Sequence, residues 1–99
     1  MNVNFVKIML YIEYRAEMCK CPVEYGFCPT DGNIRVDVFK PDANSDNGEI
    51  VYYLDETSDL FEDIKSECAD FIKDIRILKP FEYGKGFYDY RQILIVPKD

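Results

Sequence analysis

The sequence predicts an α+β fold: one domain over residues 1–99, built as an antiparallel sheet of four to five strands with one amphipathic helix packed on one face, in the order β-β-β-α-β-β. Three observations carry this prediction. Residues 59–75 place their apolar side chains at helical spacing; several short segments are apolar or alternate with period two; and turn residues separate those segments in pairs.

The elements follow in chain order. Val6, Ile8, Leu10, Ile12 and Tyr14 alternate with Lys7, Met9, Tyr11 and Glu13, the period of a half-buried strand, which predicts a first strand over 3–15. Over 34–39, Ile34, Val36 and Val38 alternate with Arg35 and Asp37, with Phe39 ending the polar side, and residues 50–54 run Ile-Val-Tyr-Tyr-Leu, giving the second and third strands. Between them, Pro41 to Gly48 is turn chemistry, with Asn47-Gly48 able to supply positive φ, so these two strands form an antiparallel hairpin. Leu60, Phe61, Ile64, Cys68, Phe71, Ile72 and Ile75 share one face and predict a helix over 59–75. Thr57 or Ser58 can cap it, and Asp59, Glu62 and Asp63 set carboxylates at the positive end of its dipole. The runs at 77–81 and 90–96 flank Gly84-Lys85-Gly86 as a second hairpin, with Pro80 keeping its first arm at a sheet edge or outside the sheet.

Composition then narrows the function. The chain is 47% hydrophobic and 31% charged, enough to bury a core and unlike a disordered, collagenous or membrane chain. Twelve Lys and Arg stand against nineteen Asp and Glu, a formal charge of −7, so direct nucleic-acid binding is disfavoured and a basic partner is favoured. There is no histidine, which removes His-based nucleophilic chemistry and every His-containing zinc site. Ile8–Ile12 is too short an apolar run for a signal peptide or a membrane span, so the expected address is the cytoplasm, with its cysteines as reduced thiols or metal ligands. Phe, Tyr, Met, Ile, Asn and Lys make up 41 of the 99 residues, types with A/T-rich codons that fit a low-GC microbe or its phage.

Four motifs bear on chemistry. The connection from Ala16 to Asn33 is long for a compact domain and holds Cys19, Cys21 and Cys28, which could give zinc three thiolates, with Cys68 or Asp31 as a fourth ligand. The C-x-C spacing is uncommon for zinc, and Cys68 sits on the apolar helix face, where an inert buried thiol is the plain expectation. Asp42-Ala-Asn-Ser-Asp46-Asn-Gly48 places its glycine one residue late for a calcium loop and has Tyr53 at the twelfth position, so it reads as a solvated hairpin tip. Lys85-Gly86-Phe87-Tyr88 begins like the aromatic strand of an RNA-recognition module but loses the small residue and the next aromatic, and Gly84-Lys85-Gly86 lacks the phosphate-loop spacing. Tyr83 and Tyr88, among five aromatics around those two glycines, suit a protein interface or ordinary packing on the sheet.

Charge asymmetry is the sharpest signal. Residues 41–74 hold eleven acids and two lysines, a net −9, while the rest of the chain is slightly basic. Asp59, Glu62, Asp63, Glu67, Asp70 and Asp74 oppose the apolar stripe of the helix, where like charges at i, i+4 spacing cost stability. The leading expectation is a non-enzymatic acidic binding protein that docks on and inhibits a basic, nucleic-acid-handling protein such as a nuclease. Small antagonists of the anti-CRISPR or immunity-protein type are an analogy of size and charge only. The docking residues would be those six acids, Asp42 and Asp46 of the hairpin tip, and Tyr83 and Tyr88; neither nucleic acid nor membrane is an expected direct partner. A second reading is a zinc-stabilised adaptor using Cys19, Cys21 and Cys28. A third is a small ligand-binding or catalytic domain with carboxylates or tyrosines in a cleft.

Overall fold

The computed structural model describes residues 2–18, 23–28, 30–41, 50–78 and 91–99. Its elements are α1 (Val3–Met18), β1 (Val23–Cys28), β2 (Asn33–Pro41), β3 (Ile50–Tyr52), α2 (Leu54–Glu67), a 3₁₀ turn (Ala69–Phe71), β4 (Ile72–Leu78) and β5 (Gln92–Pro97). The class is α+β, with an antiparallel sheet as expected. Among the described residues the element order is α-β-β-β-α-β-β, with two α-helices rather than one.

The sheet runs β1-β2-β5-β4, and the short β3 pairs with the end of β2. All pairings among the described residues are antiparallel, including β2-β3 and β4-β5, the two expected hairpins, whose turn residues 42–48 and 84–86 lie outside the described residues. Register decides the faces. Ile34 opposes Ile95 and Val36 opposes Ile93, so both central strands turn their β-branched residues to one side. There they meet Ile8 and Ile12 of α1 and Leu60 and Ile64 of α2 in one buried cluster. Both helices therefore cover the same face, and the other carries Arg35, Asp37, Gln92 and Leu94.

The largest correction concerns residues 3–15, which form a helix and not a strand. An alternating strand buries Ile8, Leu10, Ile12 and Tyr14 together. Here only Ile8 and Ile12 are fully buried, one helical turn apart, while Leu10 is 60% and Tyr14 58% exposed. Phe5 and Met9 pack beside them at i, i+3 and i, i+4 spacing. The even-numbered alternation is a coincidence of two apolar faces on one helix, and no Gly or Pro interrupts the segment. The expected loop from Ala16 to Asn33 is shortened accordingly, since it contains the last turn of α1 and all of β1.

The second helix also has different limits. It begins five residues earlier than 59 and ends at Glu67, where Cys68 leaves helical geometry at φ −108° and ψ 16°. Thr57 and Ser58 are not caps: their hydroxyls donate to the carbonyls of Tyr53 and Leu54, four residues back. Tyr53 holds the N-cap position, and its N–H donates to the Val38 carbonyl at 3.2 Å, fastening the helix start to β2. Residues 72–75, expected at the helix end, are the beginning of β4. Three isoleucines at 72, 75 and 77 favour a strand once β5 is beside them, and a bulge between Ile72 and Asp74 adjusts the period. β4 is an edge strand, as expected for the arm before Pro80, although Pro80 itself is outside the described residues.

Candidate functional site

α1 runs antiparallel to α2 and the 3₁₀ turn that follows it, because pairs of residues meet along them in opposite chain directions. The Lys7 ammonium is 4.8 Å from the Phe71 ring centre, and the Arg15 guanidinium is 2.7 Å from the Asp63 carboxylate. Tyr11 falls between these contacts. Burial pushes its phenol up, Arg15 pulls the other way, and the nearby carboxylates Asp63 and Glu67 add to the upward shift.

Along α2 and the 3₁₀ turn stand seven carboxylates, Asp55, Glu56, Asp59, Glu62, Asp63, Glu67 and Asp70, against one lysine. That lysine, Lys65, leans over the Phe61 ring at 5.9 Å. Asp59, Glu62, Glu67 and Asp70 are exposed and make no ion pair among the described residues. Asp63 is half-buried and already engaged by Arg15. Glu56 and Asp59 border a cleft of about 90 Å³ with Arg15, Val23 and Leu60, so these two acids and Asp63 lie on the flank of α2 that adjoins α1.

The expected docking residues are thus only partly brought together. Asp59, Glu62, Asp63, Glu67 and Asp70 share one element and its following turn. Asp74 does not belong with them, since it lies in β4 opposite Val96. Asp42, Asp46, Tyr83 and Tyr88 are outside the described residues, as are Cys19 and Cys21, and of Cys28 only the backbone is described, paired with Asn33. Among the described residues no group of three or more potential metal ligands gathers.

Cys68 occupies the hydrophobic core at 2% exposure, and burial pushes its thiol up to about 11. A thiol held so far above its usual range is protonated at neutral pH and reacts slowly. Native protein is therefore expected to leave Cys68 unlabelled by iodoacetamide until denaturant is added, as read by intact mass. If Cys19, Cys21 and Cys28 hold zinc, elemental analysis after chelator-free purification finds about one metal per chain, and Cys21→Ser lowers it. Four titratable thiols and no metal in the denatured protein argue for plain cysteines.

Two features were not legible in the sequence. The first is the outward face of α1, where Val3, Leu10, Tyr14 and Met18 are 58–68% exposed and follow one line along the helix. Lys7, which falls in the gap of that line, turns its charge onto Phe71. The second is Asp37, on the sheet face away from the helices. It borders an open groove of about 500 Å³ with Glu24, Gly26, Arg35 and Gln92. Burial raises the Asp37 carboxyl; the Gln92 amide, which donates to it at 3.3 Å, opposes the shift, and Glu24 reinforces it. Its other oxygen is buried with no hydrogen-bond partner among the described residues.

The Asp37 shift has a defined sign. A carboxyl raised above its unfolded value binds its proton more tightly in the folded state, so it lowers stability as pH rises from the ordinary Asp range through the native value. Asp37→Asn keeps an acceptor for Gln92 and removes the charge. It is expected to raise the melting temperature at pH 7, with the gain shrinking toward pH 3; an unchanged difference across that range contradicts the assignment.

Comparison with protein-family models, curated proteins and solved structures returns no match for this chain.

Proposed function

We propose that the protein is a non-enzymatic binding protein whose acidic helix docks on a basic, nucleic-acid-handling protein and inhibits it. The observation that supports the reading is the row of exposed, unpaired carboxylates Asp59, Glu62, Glu67 and Asp70, in a chain of net charge −7. Like charges at i, i+3 spacing, as at Asp59 and Glu62, cost roughly 0.2–0.5 kcal/mol per pair, so the row adds nothing to the stability of its own helix. A surface of this kind raises the encounter rate with a cationic partner and repels nucleic acid and anionic membranes. The test is the association rate with the partner captured from the native host, at several ionic strengths. A rate that falls steeply with added salt supports docking through these carboxylates, and a rate independent of salt rejects it.

A second reading rests on Asp37. A half-buried carboxyl with a raised pKa in a groove with Arg35 and Gln92 is an arrangement that can pass a proton or hold a small polar ligand. A small polar ligand that raises the melting temperature of the native chain and not that of Asp37→Asn supports this reading, and a ligand screen in which none does so rejects it.

A further inference from the structure

The acidic row is only one wall of a larger surface. Beside it, α1 presents Val3, Leu10, Tyr14 and Met18 to solvent, spaced seven, four and four residues apart. That spacing keeps one line of apolar side chains along a helix, the pattern by which helices seat against a partner helix. Fifteen residues at about 1.5 Å each make the line roughly 22 Å long, four turns. The ring of Tyr14 contacts Tyr11 at 6.4 Å between centroids, and Tyr11 in turn lies close enough to Asp63 and Glu67 to feel their charge. The apolar line of α1 and the Asp59, Asp63 and Glu67 carboxylates of α2 therefore flank the shallow trough between two antiparallel helices, with Tyr11 and Arg15 between them.

We infer that this trough binds an amphipathic helix of the partner, about four turns long, with its apolar stripe on α1 and a basic flank on α2. The inference rests on the docking reading above and specifies its partner. Charge selects the occupant. A second copy of this chain would bring a second row of carboxylates against the first, within the distance that physiological salt fails to screen. A membrane surface suits an apolar helix whose lysines and arginines are free to meet lipid headgroups, whereas here Lys7 is turned onto Phe71, Arg15 is held by Asp63, and the acids of α2 stand alongside. A helix with a Lys- or Arg-rich flank satisfies both walls, its stripe removing the four exposed side chains from water and its cations neutralising the row. The arrangement also divides the labour: the acids set the rate of encounter, and the apolar line sets the lifetime of the complex.

The probe is a synthetic 18-residue peptide with leucines at i, i+3, i+4 and i+7 and lysines on one flank, beside a scrambled peptide of identical composition. Binding to the whole chain is followed by fluorescence anisotropy at low and high salt. The amphipathic peptide is expected to bind at least tenfold more tightly than the scrambled one. Leu10→Ser with Tyr14→Ser should abolish that preference mainly through faster dissociation, while leaving the salt dependence in place; circular dichroism confirms that the exposed substitutions keep the fold. Asp59→Lys with Glu67→Lys should flatten the salt dependence and keep the preference for the amphipathic peptide. If both peptides bind alike and the α1 substitutions change nothing, the trough is refuted while acidic docking stands. If only the α1 substitutions matter and salt does not, the acidic reading fails instead. No binding of either peptide at 100 μM overturns the inference, as does a dimer in sedimentation velocity that Leu10→Ser dissociates.

Discussion

Ile12→Asp is expected to unfold the protein at room temperature, whereas Leu10→Asp, two residues earlier, leaves its melting temperature within a few degrees. Ile12 is fully buried against the sheet, and Leu10 is mostly exposed on the opposite side of the same helix. Placing an unpaired carboxylate at the first position costs several kcal/mol, a large part of the 5–15 kcal/mol typical of a whole domain. Ile12→Ala measures the same site more gently and should cost about 2–5 kcal/mol, the range for deleting a buried aliphatic side chain. Ile64→Asp on α2, equally buried, should behave like Ile12→Asp. Urea denaturation of the four variants provides the measurement. A strand at 3–15 would make Leu10 and Ile12 equally sensitive, so equal losses at the two positions refute the helix.

Reversing charge on the acidic row should have the largest effect on recognition. Glu62→Lys, Glu67→Lys and Asp70→Lys together are expected to slow association with the captured partner by about tenfold or more at low salt and to flatten its salt dependence. These three side chains are exposed, and none pairs with a cation among the described residues, so the fold is retained. Asp63 is left unchanged because its carboxylate holds Arg15 of the neighbouring helix. Relief of like-charge crowding should raise the stability of α2 slightly. Glu24→Lys is the internal control: it changes net charge by the same amount per site, yet it is exposed on β1 opposite Asp37, on the sheet face away from the helices. If it slows association as much as a substitution on α2, the effect is one of net charge and not of a docking face.

Sequence and structure agree where a segment has one apolar face and a local stop. β2 and β3 are separated by turn residues and were legible at nearly their true limits, as was β5. α2 was legible in its centre, where Leu60 and Ile64 mark the buried side. Its end was not, because Phe71, Ile72 and Ile75 continue the helical spacing into a strand and no Gly or Pro marks the change. Of the docking residues, the acids of α2 were legible because charge patterning is written directly in the chain. Asp37 was not: its place in the alternation of β2 assigns it a face but does not say whether that face is wet.

The chain alone specified an α+β class, two hairpins, one acidic amphipathic helix and the confinement of negative charge to residues 41–74, all properties of local periodicity and composition. Tertiary structure decided the rest. For residues 3–18 both periods are present, since apolar side chains occur on nearly all sides, and only packing of Ile8 and Ile12 against Ile34, Val36, Ile93 and Ile95 selects the helix. The same choice leaves Val3, Leu10, Tyr14 and Met18 facing water beside the carboxylates of α2. That juxtaposition joins segments some fifty residues apart, and a pattern read along one strand of sequence has no term for which two helices become neighbours.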